Sequence, residues 1–333
     1  MKYFVLGSFS SAFFLYGVAL VYGATGTTNI GEMVSVLQSS VDLSTPDTLA
    51  LAGMALMIVG LGFKIAAVPF HVWAPDVYQG APDPVTAFMA AAGKVAAITA
   101  IMRVFVIALP FYRDDWRPVI WLLSVLSLLI GSVLAVVQTD VKRMLAYSSI
   151  AHAGYLLMGV EAAAHQAGEL DPGPGVPSVF VYVYLYALLI VGSFGIVGVV
   201  ARDNGGDTSL DAFNGLTHRR PLLALGFTAL LLAQAGVPFT SGFVAKFSVI
   251  QAAVEEDSYA IALIGMVAAV IAAFFYLRIV VRMWFERPTD GAPVPVPLAA
   301  TLAIGVTVLL SLVLGVLPGP VIDAADTVVG FAR

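Results

Sequence analysis

Cysteine is absent from this chain, which excludes disulfides, cysteine-ligated zinc and iron–sulfur clusters held by the chain itself. Charge is scarce as well. Only 11% of the 333 residues are charged, against roughly a quarter in a soluble domain. Histidine occurs four times (His71, His152, His165 and His218), scattered and without a metal-binding spacing such as HExxH. No basic run and no glycine-rich phosphate loop is present, so nucleic acid and nucleotides are not expected partners. The chain shows no redox chemistry of its own, and the absence of a nucleophile–base pair argues against an enzyme acting alone.

Apolar residues make up 60% of the chain, and the mean hydropathy is +0.95. They fall into long runs such as Phe4 to Tyr22, Trp121 to Val137, Val179 to Val200 and Ile261 to Val280. Each is near the roughly 20 residues that an α-helix needs to cross about 30 Å of hydrocarbon. Backbone groups in lipid must be satisfied within the segment, so these runs are read as helices. The first run is longer than the apolar core of a signal peptide, and no A-x-A-like cleavage site follows it.

The pattern predicts an all-α polytopic membrane protein with about nine transmembrane helices, over 3–23, 48–70, 84–109, 118–138, 142–161, 177–201, 221–254, 259–282 and 297–318. The seventh stretch would be about 51 Å long as one helix. Gly236 and Pro238 sit at its middle, so it is expected to break into halves 221–235 and 239–254. The carbonyls freed near Leu232 to Gln234 then need partners, for which Gln234, Thr240 and Ser241 are candidates. Pro69 suggests a second distortion in the overlong run from Leu49 to Ala74. Two interrupted segments in separate halves hint at a structural repeat.

Lys2, Lys142, Arg143, Arg202, Arg219, Arg220, Arg282 and Arg287 fall on one side of this arrangement, and Arg113, Arg117 and Arg333 on the other. Positive charge marks the cytoplasmic side, which predicts a cytoplasmic N-terminus and an extracytoplasmic C-terminus.

Three of the five lysines, Lys64, Lys94 and Lys246, lie in hydrophobic segments. A lysine at a helix centre costs about 2.5–3.5 kcal/mol on insertion scales. The competing reading is that each snorkels to the interface along its apolar stem, most plausibly for Lys64 and least for Lys94. The functional reading starts from solvation, since removal from water disfavours the charged form of a lysine and lets it exchange a proton near neutral pH. No helix centre holds Asp or Glu, so the counter-charge is expected from another helix or another subunit. His71 follows Lys64 by seven residues, about two helical turns, and His152 follows Ser148 by four. Those neighbours make the two histidines candidate relays rather than only packed core residues.

The stretches GLGFKIAAVPFHVWAPDVYQGAPDPVTAFMAAAGK (60–94), QTDVKRMLAYSSIAHAGY (138–155) and AGVPFTSGFVAKF (235–247) resemble the subunit N family of bacterial NADH-quinone oxidoreductase, in order and spacing and over nearly the whole chain. The resemblance implies an antiporter-like inverted-repeat fold with two discontinuous helices, with residues 1–110 the remainder of a first repeat, 111–290 a second, and 291–333 a C-terminal helix and tail. It implies that Lys64, Lys94 and Lys246 translocate protons and that His71, His152, Ser148 and Ser149 relay them. The family's glutamate partner of Lys64 lies on a helix before the segment that begins here at Met1, so either the sequence is truncated, or its start is misplaced, or that helix is supplied separately.

The function so implied is proton translocation in the membrane arm of a respiratory NADH:quinone oxidoreductase of the complex I type, in a bacterial inner membrane. NADH, FMN, iron–sulfur clusters and quinone would be held by partner subunits, and no cofactor by this chain. The other membrane-arm subunits and the lipid bilayer would be its partners. Two alternatives stand beside it: a subunit of a multi-component Na+/H+ antiporter, and a structural remnant that carries no protons.

Overall fold

The computed structural model describes residues 1–40, 48–169, 171, 173–288 and 293–331; Arg333, counted above on the sparsely charged side, lies outside them. The helices are α1 (Lys2–Thr25), α2 (Ile30–Ser40), α3 (Thr48–Ile65), α4 (Ala74–Gly80), α5 (Asp83–Ile101), α6 (Arg113–Val136), α7 (Val141–His165), α8 (Gly175–Asp203), α9 (Leu216–Arg219), α10 (Pro221–Ala235), α11 (Ser241–Glu255), α12 (Tyr259–Phe285), α13 (Leu298–Val316) and α14 (Gly319–Phe331). Their starts follow ordinary capping chemistry. Asp140 accepts from the backbone N–H of Arg143 at the head of α7, and Asn29 accepts from those of Gly31 and Glu32 at the head of α2.

Among the described residues seven helical stretches are long and apolar enough to cross a membrane: α1, α3, α5 with its continuation to Ala108, α6 with the turn from Pro110, α8, α12 and α13. The remaining two expected crossings are α7 and the broken pair α10–α11. At 25 residues α7 is long enough, but it carries Lys142, Arg143, His152, Glu161 and His165. It tolerates them because it is buried almost all round, packed against α6, α8, α11 and α4. Its approach to α6 is close: the Gly154 carbonyl accepts from Ser124 Oγ at 2.6 Å, and a Cβ on Gly154 would stand 2.8 Å from the backbone nitrogen of Leu128.

Four helices, α2, α4, α9 and α14, fall outside the expected crossings. The α2 helix is 11 residues long, about 16 Å, too short to cross, and α14 follows the last expected crossing. The sixth helix also starts earlier than expected, at Arg113, with Asp114 and Asp115 in its first turn, where acidic side chains oppose the positive end of the helix dipole.

Both expected breaks are present, and they close in the same way. At the end of α3, Ala67 N–H donates to Gly62 O and Ala66 N–H to Phe63 O, at 2.9 and 3.0 Å. At the end of α10, Val237 N–H donates to Leu232 O and Gly236 N–H to Ala233 O, at 3.1 and 2.9 Å. These are the paired bonds of a Schellman cap, which needs a left-handed residue just past the helix. Ala66 (φ 58°) and Gly236 (φ 89°) supply it. A Val-Pro-Phe triplet follows in each case, 68–70 and 237–239.

The basic residues gather at one end of the bundle. Lys2 and Arg143 both bind Asp76 on α4, Lys142 pairs with Asp83 at 2.9 Å, Arg220 holds Asp203 at 2.5 and 2.9 Å, and Arg282 pairs with Asp211 at 3.1 Å. The opposite end, called outer below, carries Arg113 and Arg117 beside His165.

Candidate functional site

The conformation of α7 places Ser148, Ser149, His152 and Tyr155 in the middle of the bundle, where four neighbouring helices reach them. From α5 comes Lys94, 1% exposed, whose ammonium donates to the Ser149 hydroxyl at 2.7 Å and to the Ser149 carbonyl. The Ser149 hydroxyl shares a 2.7 Å hydrogen bond with Tyr186 of α8, and the Lys94 ammonium lies 5.1 Å from the Tyr186 ring centre. Among the described residues no carboxylate pairs with Lys94, which is met by a hydroxyl, a carbonyl and an aromatic face.

One turn along α7 lies a second group. His152 Nδ1 is 2.7 Å from the Tyr182 hydroxyl, and Nε2 is 3.3 Å from the Tyr276 hydroxyl. Tyr276 on α12 also hydrogen-bonds Ser148. Ser148 and His152 thus share one partner, as their spacing of four residues allows. The His152 and Tyr186 rings are 4.9 Å apart, so the two groups touch.

Beyond them comes Lys246 of α11, 5% exposed. Its ammonium donates to the Ala235 carbonyl at 3.0 Å and sits 5.2 Å from the ring centre of Tyr155, which stacks on Tyr182 at 5.8 Å. The break makes this possible. Gly242 crosses so close to α10 that a Cβ on it would lie 1.7 Å from the Ala233 carbonyl oxygen, and only glycine fits.

The partners expected for the freed carbonyls are corrected by this arrangement. Backbone N–H groups of Gly236 and Val237 take the carbonyls of Leu232 and Ala233, and Lys246 takes that of Ala235. Gln234 instead donates to Ser193 at 2.8 Å, Thr240 caps α11, and Ser241 bonds Ser311 on α13 at 2.7 Å.

Lys64 and His71 stand apart from the central group. They are not two turns apart on one helix, since α3 ends at Ile65 and Ala66 takes a left-handed conformation. Lys64 is exposed on the side of the bundle and has no hydrogen bond or ion pair among the described residues. His71 is half-buried, and its Nδ1 is buried without a partner among those residues.

Tyr155, Tyr182, Tyr186 and Tyr276 were missed by sequence reading, although they carry most of the hydroxyls. The signal was present in VYVYLY (181–186): Tyr182 and Tyr186, four apart, turn inward, while Tyr184 between them is exposed. Hydroxyl-bearing rings at helical spacing within an apolar helix need partners when buried.

At the basic end a cavity of about 480 Å³ is lined by Gln79, Asp83, Lys142, Arg202 and Thr208. Asp83 precedes Lys94 by eleven residues on α5, about 16 Å along the axis. Among the described residues no group of three or more His, Cys, Asp or Glu side chains is arranged to hold a metal ion.

Residues 1–272 match the family described as NADH:quinone oxidoreductase/Mrp antiporter, TM. NADH-quinone oxidoreductase subunit N of Rhodococcus opacus is 50% identical over 337 residues, covering all of this chain and 60% of the relative. Subunit N of Mycobacterium tuberculosis is 47% identical over 332 residues, covering 98% and 60%. The chain thus spans about 60% of the length of the curated relatives it matches. Among solved structures, a chain of respiratory complex I from Thermus thermophilus superposes with TM-score 0.80 at 34% identity, covering 97% of this chain and 68% of that one. A chain of the Mrp complex from Dietzia gives 0.85 at 25% identity, covering 98% and 66%.

Proposed function

The chain belongs to the NADH:quinone oxidoreductase and Mrp antiporter transmembrane family, and on that premise we propose that it translocates protons in the membrane arm of a complex I type oxidoreductase. The observation that carries this reading is the buried file from Lys94 through Ser149 and Tyr186, past His152, Tyr276 and Ser148, to Tyr155 and Lys246. Hydroxyls and an imidazole can each give and accept a proton, and a lysine whose charge is poorly compensated can release one. Lys94, Lys246, His152, Ser148 and Ser149 are the working groups. Lys64 and His71 serve a first half-path.

The chain holds no cofactor in this reading. NADH, FMN, iron–sulfur clusters and quinone belong to partner subunits, and the other membrane-arm subunits pack on its flanks. The multi-pass chain sits in a bacterial inner membrane with the basic end in the cytoplasm. Residues 1–110 and 111–290 form the two repeats, each with one broken helix, and 291–333 the C-terminal helix and tail. The identical closing bonds at the two breaks support that division. An Mrp-type antiporter is the second reading, favoured by the fold match to the Dietzia complex; the higher identity to subunit N relatives speaks for the first.

Lys94→Met in the complete complex, in sealed vesicles, tests the reading. Proton pumping should fall sharply while assembly survives, and replacing Na+ with choline should leave wild-type pumping unchanged. Wild-type pumping in the variant would return Lys94 to a packing role, and a Na+ requirement would favour the antiporter.

A further inference from the structure

A second buried titratable group, unused by the lysine file, sits at the outer end of α7. Glu161 and His165 are four residues apart and share a face. Glu161 Oε1 accepts from Ser258 Oγ at 3.1 Å and lies 3.3 Å from His165 Nε2. On the other side of the ring, His165 Nδ1 is 3.9 Å from Glu256 Oε2, and Gln166 donates to both Glu256 oxygens at 3.3 Å. From α6, Arg117 approaches the His165 ring nitrogens at 3.0 and 3.2 Å, while Arg113 binds the His165 carbonyl and lies 3.8 Å from Glu169. Asp257, next in the chain, takes the hydroxyl of Tyr259.

The decisive atom is Glu161 Oε2. It is buried and has no hydrogen-bond partner among the described residues, while the whole residue is 3% exposed. A buried carboxylate oxygen without a hydrogen-bond partner is costly, so this atom is open to a further ligand. The side chains of Glu161, Glu256 and His165 are 4%, 10% and 23% exposed, so the carboxyl with the unpartnered oxygen is the most deeply buried of the three. The group is also placed beyond the inner file. Glu256 follows Lys246 by ten residues, about 15 Å, and Glu161 follows Tyr155, the ring that Lys246 faces, by six.

We propose that Glu161, with His165 and Glu256, is a proton-holding site between Lys246 and the outer surface. This rests on the reading that the chain carries protons. A proton arriving from inside binds Glu161 Oε2 and gives a neutral carboxyl. Rotation of the carboxyl carries the O–H to the position from which Oε1 now faces Nε2 at 3.3 Å, and the proton passes to His165 when Nε2 is the unprotonated ring nitrogen. A proton then leaves from Nδ1 on the Glu256 side, and the ring turns over to restore the first tautomer before the next transfer. The group then returns to its starting charge, with no bond other than N–H and O–H made or broken.

The test uses the complete complex in vesicles, with pumping and NADH oxidation measured together and Lys94→Met run in parallel. Glu161→Gln keeps the side chain's size and removes its acid. Pumping per NADH oxidised should fall about tenfold or more, within what a positioned proton-transfer group contributes. Glu161→Asp should restore most of it. Wild-type complex should also show a protonated-carboxyl infrared band that shifts in Glu161→Asp. Normal pumping in Glu161→Gln alongside loss in Lys94→Met would overturn this site and leave the functional reading standing. Normal pumping in Lys94→Met would remove the reading and the site with it. If Glu161→Gln does not assemble, the infrared band decides, and its absence from the wild type overturns the proposal.

Discussion

Lys246 and Ala235 are joined by a 3.0 Å hydrogen bond from the ammonium to the last carbonyl of α10. The C-terminal end of a helix carries roughly half a negative charge on its free carbonyls. Breaking the helix at Gly236 exposes that end inside the bundle, and the lysine from the second half returns to it. Among the described residues no carboxylate pairs with Lys246, so the helix end and the Tyr155 face are its compensation. The break and the lysine are therefore one device.

That device depends on close packing. Gly242→Ala would drive a methyl into the Ala233 carbonyl and force the two half-helices apart. Overpacking of this kind costs about 1–3 kcal/mol. The melting temperature of the purified complex should drop, and an unchanged value would show that the crossing relaxes freely.

Tyr276 links Ser148 and His152 through one hydroxyl. Tyr276→Phe removes it with little change in shape and leaves buried polar groups unpaired, at about 1–3 kcal/mol. Pumping should fall while the complex still assembles and oxidises NADH. Full pumping in Tyr276→Phe would place the proton path elsewhere.

Asp76 is bound by Lys2 and Arg143, and these bonds hold its carboxyl below the usual aspartate range. A depressed acid contributes stability that is present above its unfolded value, about 3.9, and lost as pH falls through its folded value. Near neutral pH the contribution is complete. Asp76→Asn should loosen α1 from α4 at neutral pH by about 1 kcal/mol or less per pair, as exposed ion pairs do. Limited proteolysis near the N-terminus should quicken in the variant and, for the wild type, only in strong acid. Equal rates at all pH values would remove Asp76 as the anchor.

The absence of cysteine makes topology directly measurable. Asp207→Cys, at the basic end, should react with an impermeant maleimide only from the cytoplasm. Asp114→Cys, at the outer end, should react only from outside. The reverse pattern would invert the proposed orientation.

Apolar run length, the prolines at 69 and 238 and the lysines within apolar runs were enough to read the helical membrane class, both breaks and the central lysines. Each rests on a local rule: a helix must satisfy its own backbone in lipid, proline interrupts it, and a charge there is expensive. Tertiary structure decided what the side chains meet. It left the Lys64 side chain exposed among the described residues, and it ended α3 before His71, where Ala66 turns the chain and helical spacing no longer applies. It turned Tyr182 and Tyr186 inward from α8 and Tyr276 from α12, and brought Glu256 to within reach of His165 across 91 residues of sequence. Hydrogen bonds between helices depend on rotation and depth about axes that periodicity within one helix leaves free, so only packing could fix them.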